Sequence, residues 1–142
     1  MKRLICSAVV LSVVLTGCEL FVIGSSVPRQ TIVERSQKTS VGVVHLWSAE
    51  LDSSSTSAAT EFMVHSSGRK LLAMEKYELT DDLARWQRLL RGKPITSWKT
   101  DTTTASMHVI DAVYDHLRTV RFTTIALGDV WYISRIDNPQ AR

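Results

Sequence analysis

Residues 107–137, MHVIDAVYDHLRTVRFTTIALGDVWYISRID, decide the fold class. They alternate β-branched and aromatic residues with polar ones at period two, the pattern of half-buried strands. Gly128-Asp129 is a two-residue hairpin turn with glycine at its first central position. It sets Leu127 opposite Val130, Ala126 opposite Trp131, Thr124 opposite Ile133 and Phe122 opposite Arg135. A second turn at Asp115-His116 sets Tyr114 opposite Leu117, Asp111 opposite Val120 and Val109 opposite Phe122. Carried through both hairpins, the alternation predicts one face of Met107, Val109, Val113, Val120, Phe122, Ala126, Trp131 and Ile133 for packing against helices. The other face then carries His108, Thr119, Arg121, Thr123 and Ser134, with Ile110, Tyr114, Ile125, Tyr132 and Ile136 among them. A sheet side so rich in apolar residues predicts a covering partner, either a second copy of the chain or another envelope protein.

Upstream of Pro94 the period is helical. Val43, Val44, Leu46, Trp47 and Leu51 recur at three- and four-residue spacings, predicting a helix over 40–51. The serines at 53–55 end it and offer caps for a second helix over 56–65, which would bury Ala58, Ala59 and Phe62. Thr80 is an N-cap candidate with Asp81 and Asp82 in the first turn. Leu83, Trp86, Leu89 and Leu90 follow, and Gly92 and Pro94 end that third helix. Helices before strands predict an α+β domain over 40–142, with N-terminal helices packed on a curved C-terminal antiparallel meander.

The first residues are of another kind. Met1-Lys2-Arg3 is a short positive start and Leu4 to Leu15 is almost wholly apolar, the pattern of a secretory signal. A membrane-spanning helix needs roughly 20 apolar residues, more than this run supplies. The segment closes on Leu15-Thr16-Gly17-Cys18, which resembles the lipobox of bacterial lipoproteins. The resemblance implies cleavage after residue 17 and acylation of the Cys18 thiol, with 18–39 as the lipidated end and a tether. Two or three acyl chains hold a protein stably at a bilayer where one does not. Glu19, in place of the Asp that signals inner-membrane retention in that family, favours the outer membrane, facing the periplasm, in a cell with two membranes.

These assignments reinterpret the composition. The formal charge of +3 includes Lys2 and Arg3, and residues 18–142 hold fifteen basic against fourteen acidic side chains. A nucleic-acid partner is therefore not expected. The basic residues of 69–99 read as a solvated helix face. Cys6 falls in the discarded segment and Cys18 is acylated, so no thiol remains for a disulfide, a zinc site or a nucleophile. With 44% apolar and 22% charged residues the chain has the balance of a globular protein with one core.

Two or three helices followed by an antiparallel meander that ends in an aromatic-rich strand resemble the nuclear-transport-factor-2-like superfamily, and within it small bacterial lipoproteins of unassigned function. The residues that carry this are Val43-Val44-x-Leu46-Trp47 and Gly128-Asp129-Val130-Trp131-Tyr132-Ile133. The resemblance implies a cone-like domain whose sheet and helices enclose a pocket, where some members use an Asp or an Asp-His pair in isomerisation or dehydration. Asp111 is the candidate here, because the pairing above sets it in the apolar face, where desolvation would raise its pKa. The competing placements are a pair with Arg118, or a turn one residue different that leaves Asp111 exposed. The four histidines have no metal-ligand spacing and read as surface or turn residues, and neither metal nor cofactor is expected. The reading is a lipid-anchored, non-catalytic binding or assembly module. Its alternative is a cofactor-free isomerase, dehydratase or hydrophobic-ligand carrier with a pocket around Asp111.

Overall fold

A computed structural model describes residues 32–139, and the expected signal segment, the lipobox-like stretch and most of the expected tether lie outside the described residues. Helices α1 (Ser40–Asp52), α2 (Thr56–Thr60) and α3 (Ala73–Leu90) precede strands β1 (Ile95–Thr104), β2 (Met107–Tyr114), β3 (Arg118–Leu127) and β4 (Val130–Asp137). The strands form one antiparallel sheet in sequence order. The protein is an α+β domain with its helices first. Among the described residues no helix is long and apolar enough to cross a membrane.

Helix α1 forms where its pattern predicts. The Thr39 hydroxyl caps it by accepting the Gly42 N–H at 2.9 Å. Val43, Val44, Trp47 and Leu51 make one buried stripe, and each such side chain contributes about 1.5–3 kcal/mol of burial. The chain just before it is tied to the domain. The Gln37 carbonyl accepts from Trp131 N–H at 2.8 Å, and the Gln37 amide donates to the Trp131 carbonyl at 3.1 Å. Gly42 is needed at this crossing, because a Cβ there would lie 2.5 Å from the Ser36 carbonyl oxygen.

Two helices depart from expectation. Helix α2 has five residues and does not reach His65. Phe62 and Val64 instead bond both main-chain groups of Ile133, at 2.8 and 2.9 Å. Apolar, partly β-branched residues here gain more by completing the edge of β4 than by one further helical turn. Helix α3 begins at Ala73, so Thr80 lies in its interior, and its hydroxyl bonds back to the Lys76 carbonyl at 3.3 Å. The start is set by Glu75, whose carboxylate accepts the Leu72 N–H at 2.8 Å and binds Arg69. Met74 and Tyr77 in these first turns are 69% and 77% exposed. They leave no apolar stripe for a periodicity reading to find.

The sheet register carries the main correction. The turn at Asp115-His116 exists, with both residues at positive φ and Leu117 N–H bonded to the Tyr114 carbonyl at 3.0 Å. Leu117 is then extruded as an extra residue, and Tyr114 pairs with Arg118 rather than Leu117. Moving the register by one residue exchanges the faces of β2. Ile110, Ala112 and Tyr114 therefore join Val120, Phe122 and Thr124 against the helices, while Val109, Asp111 and Val113 face away.

The energetics account for the choice. Val109 against Ile110, and Val113 against Tyr114, are apolar exchanges, so the decision rests on Asp111 against Ala112. Leaving Leu117 79% exposed forgoes about 1.5–3 kcal/mol, whereas burying an unpaired carboxylate costs several kcal/mol. The β3–β4 hairpin follows the expected pairs from Leu127 opposite Val130 to Thr124 opposite Ile133. An irregularity at the next step then sets Phe122 opposite Ile136 instead of Arg135.

Candidate functional site

Asp111 lies on the sheet face away from the helices. Both of its oxygens accept from Arg121, directly opposite on β3, at 2.7 Å each. The hydrogen bonds from Arg121 hold its carboxyl below the usual carboxylate range, the reverse of the shift an apolar site would impose. The expected pocket around Asp111 is thus corrected: the turn differs by one residue, the competing placement that takes Asp111 off the apolar face, and its partner is Arg121 rather than Arg118. The same correction changes the outer face. Ile110, Tyr114 and Ile136 belong to the inner side, and the outer side mixes Val109, Val113, Ile125 and Tyr132 with the Asp111–Arg121 and Arg135–Asp137 ion pairs.

A concave feature of the domain lies elsewhere. A cavity of about 350 Å³ opens between the C-terminal half of α1, the 92–94 loop and the start of β1. It is within the size range of small-molecule sites. His45, Ser48 and Asp52 reach it from α1 at helical spacing, as a polar stripe beside the buried apolar one. Tyr114 from β2, and Arg35 and Lys93 from flanking segments, complete the polar lining. Gly92, at φ +69°, closes α3 and donates its N–H to the Asp52 carboxylate at 2.7 Å.

The groups in this wall have defined hydrogen-bonding roles. Ser48 has one hydroxyl proton and gives it to the Val44 carbonyl at 2.8 Å. It therefore accepts from the Tyr114 hydroxyl at 2.6 Å. Burial pushes the Tyr114 phenol well above its ordinary value, so it stays protonated. His45 stands edge to face with Trp98, their ring centroids 5.2 Å apart. Its Nε2 is buried and has no hydrogen-bond partner among the described residues. Burial, and secondarily the Arg35 charge, push the His45 pKa down, which keeps the imidazole neutral. The wall thus combines the neutral His45, Ser48 and Tyr114 groups with the Asp52 carboxylate and, from the flanking segments, the Arg35 and Lys93 cations.

A depressed His45 pKa has a definite consequence for stability. The unfolded chain takes up a proton at His45 near the ordinary value of 6.5, before the folded chain does. The stabilising contribution is complete above pH 6.5 and is lost as the pH falls through the lowered folded value. His45→Gln should therefore flatten the decline in urea midpoint between pH 6.5 and about 5, a window above the ordinary carboxylate range. An unchanged slope would show that His45 is as accessible to protons folded as unfolded.

The other histidines divide. His65 and His116 lie in turns, in line with their reading, His65 bonding Ser67 through Nδ1 at 2.9 Å. His108 is partly buried, with Nδ1 at 2.8 Å from the Ser40 hydroxyl and its ring tilted on Trp131 at 4.4 Å between centroids. The surface or turn reading therefore fails for His45 and His108, which are packed. Nothing in the spacing of His45 singles it out. Its signal is the polar stripe 45, 48, 52 along α1, which gains meaning only when β1 and β2 lie across it.

These elements define the class: an α+β domain in which α1 lies on a four-stranded antiparallel meander and α2 and α3 pack against α1, with a polar cavity at the α1–β1 end. Comparison with known proteins finds no matching family model, no similar curated protein and no similar solved structure.

Proposed function

We propose that this protein is a lipid-anchored cell-envelope protein serving as a non-catalytic binding or assembly module. The observation that carries the reading is the sequence Leu15-Thr16-Gly17-Cys18 directly after a secretory apolar segment. A diacylglyceryl group on Cys18, with further acylation, would anchor the chain, and the following residues would hold the domain off the bilayer. Glu19 favours the outer membrane of a two-membrane cell. The cone-like arrangement implied by the lipoprotein resemblance fits helices laid on one face of a meander, and the polar cavity beside His45, Ser48 and Tyr114 is the place for a small ligand. Asp111, held by Arg121 on the far sheet face, leaves isomerase or dehydratase chemistry without the acid that suggested it.

Replacing the thiol is the direct test. Cys18→Ser should abolish incorporation of labelled palmitate and move the chain out of the membrane fraction. Retained membrane attachment in that variant would overturn the reading.

A further inference from the structure

We propose that β1 pairs edge to edge with β1 of a second copy of this chain, antiparallel about a two-fold axis at Thr100. The two edges of the sheet differ. Outside β4, Gln37 and the 62–64 segment bond Trp131 and Ile133. Strand β1 is the opposite edge, ten residues long, and residues 99–104 are all exposed. Edge strands are ordinarily kept short, covered or guarded by charge, because their unpaired main chain is a template for another strand.

The charges on β1 specify one partner and one register. Irregularities at 95–97 and 102–104 bracket a regular stretch over 97–102. Self-pairing about Thr100 uses 98–102 of each copy and sets Lys99 of one opposite Asp101 of the other, twice by symmetry. An axis at Lys99 would oppose two lysines, and one at Asp101 two aspartates, both unfavourable. The rest of the sheet continues the pattern. At the level of Lys99 the cross-strand neighbours are Asp111, then Arg121, then Asp137, a row of alternating sign on one face. Asp101 of the second copy would extend that row beyond Lys99 with the required negative charge. Within one chain, Lys99 and Asp101 already meet at 3.2 Å, both well exposed, so the pairing draws on charges held in position.

Site-specific crosslinking of the full-length chain tests this. Opposed residues in an antiparallel pair have Cα atoms about 4.5–5.5 Å apart, within the range that a disulfide bridges. Thr100→Cys, treated in membranes with copper phenanthroline as oxidant, should give a dimer whose mass spectrum contains two copies of the same peptide joined by a disulfide at position 100. Thr102→Cys should not, because its counterpart lies four residues along the partner strand, about 13 Å away. Added to Thr100→Cys, Lys99→Asp should cut the linked fraction about tenfold, since two attractive pairs become repulsive. Asp101→Lys, whose neighbour on β2 is the uncharged Val109, should cut it likewise by setting a lysine opposite Lys99 in both pairs. Equal linking of positions 100 and 102, or no loss with Lys99→Asp or with Asp101→Lys, would each overturn the proposal.

Discussion

Phe122→Ala should lower the unfolding free energy by about 3–5 kcal/mol, the cost of removing a large buried aromatic side chain whose site cannot collapse. Phe122 is fully buried at the centre of the sheet, between Ile110 on β2 and Ile136 on β4. Its ring meets Trp47 of α1 in a T-shaped contact, the centroids 5.4 Å apart. Three rigid strands and a helix surround the space it would leave, so little relaxation is available. Against a total stability of about 5–15 kcal/mol for a domain, this is a large fraction. Urea denaturation followed by tryptophan fluorescence would measure it, and a loss under about 1 kcal/mol would mean that the core is not centred on this contact.

Ile110→Ala and Asp111→Ala should differ sharply although the residues are neighbours. Ile110 is fully buried, and its truncation should cost about 2–5 kcal/mol. Asp111 keeps 21% of its side chain exposed beside an Arg121 that is 47% exposed. Pairs open to solvent contribute about 1 kcal/mol or less, so Asp111→Ala should cost no more than that. The expected two-residue pairing at Asp115-His116 would reverse the order, since it turns Asp111 inward and Ile110 outward. Denaturant midpoints of the two variants decide between the registers, and near-equal losses would fit neither.

Much of the architecture is legible because local patterns coincide with tertiary need. The apolar spacing of Val43, Val44, Trp47 and Leu51 marks α1 within a residue of its observed end, and the structure adds the cap at Thr39. Gly128-Asp129 marks the β3–β4 hairpin and its first pairs. The start of α3 is hidden because the large apolar residues of its opening turns, Met74 and Tyr77, lie on the exposed side rather than in line with the buried Leu83 and Leu90, and the ion-paired Glu75 that anchors them is not an apolar signal. The alternation points to the wrong site residue for one reason: the extrusion of Leu117 changes the face of every residue of β2. Tyr114, placed on the outer side by the alternation, thereby comes to line the cavity with His45 and Ser48.

By itself, then, the sequence determined what depends on neighbours along the chain. That comprises the order of helices before strands, the α1 stripe and the Gly128 turn; the resemblance of Leu15-Thr16-Gly17-Cys18 to a lipobox is likewise carried by adjacent residues. The tertiary structure alone decided what depends on competition between distant groups. It ended α2 early so that Phe62 and Val64 could complete the edge of β4. It chose the β2–β3 register in which Asp111 meets Arg121, because exposing one leucine costs less than burying one unpaired carboxylate.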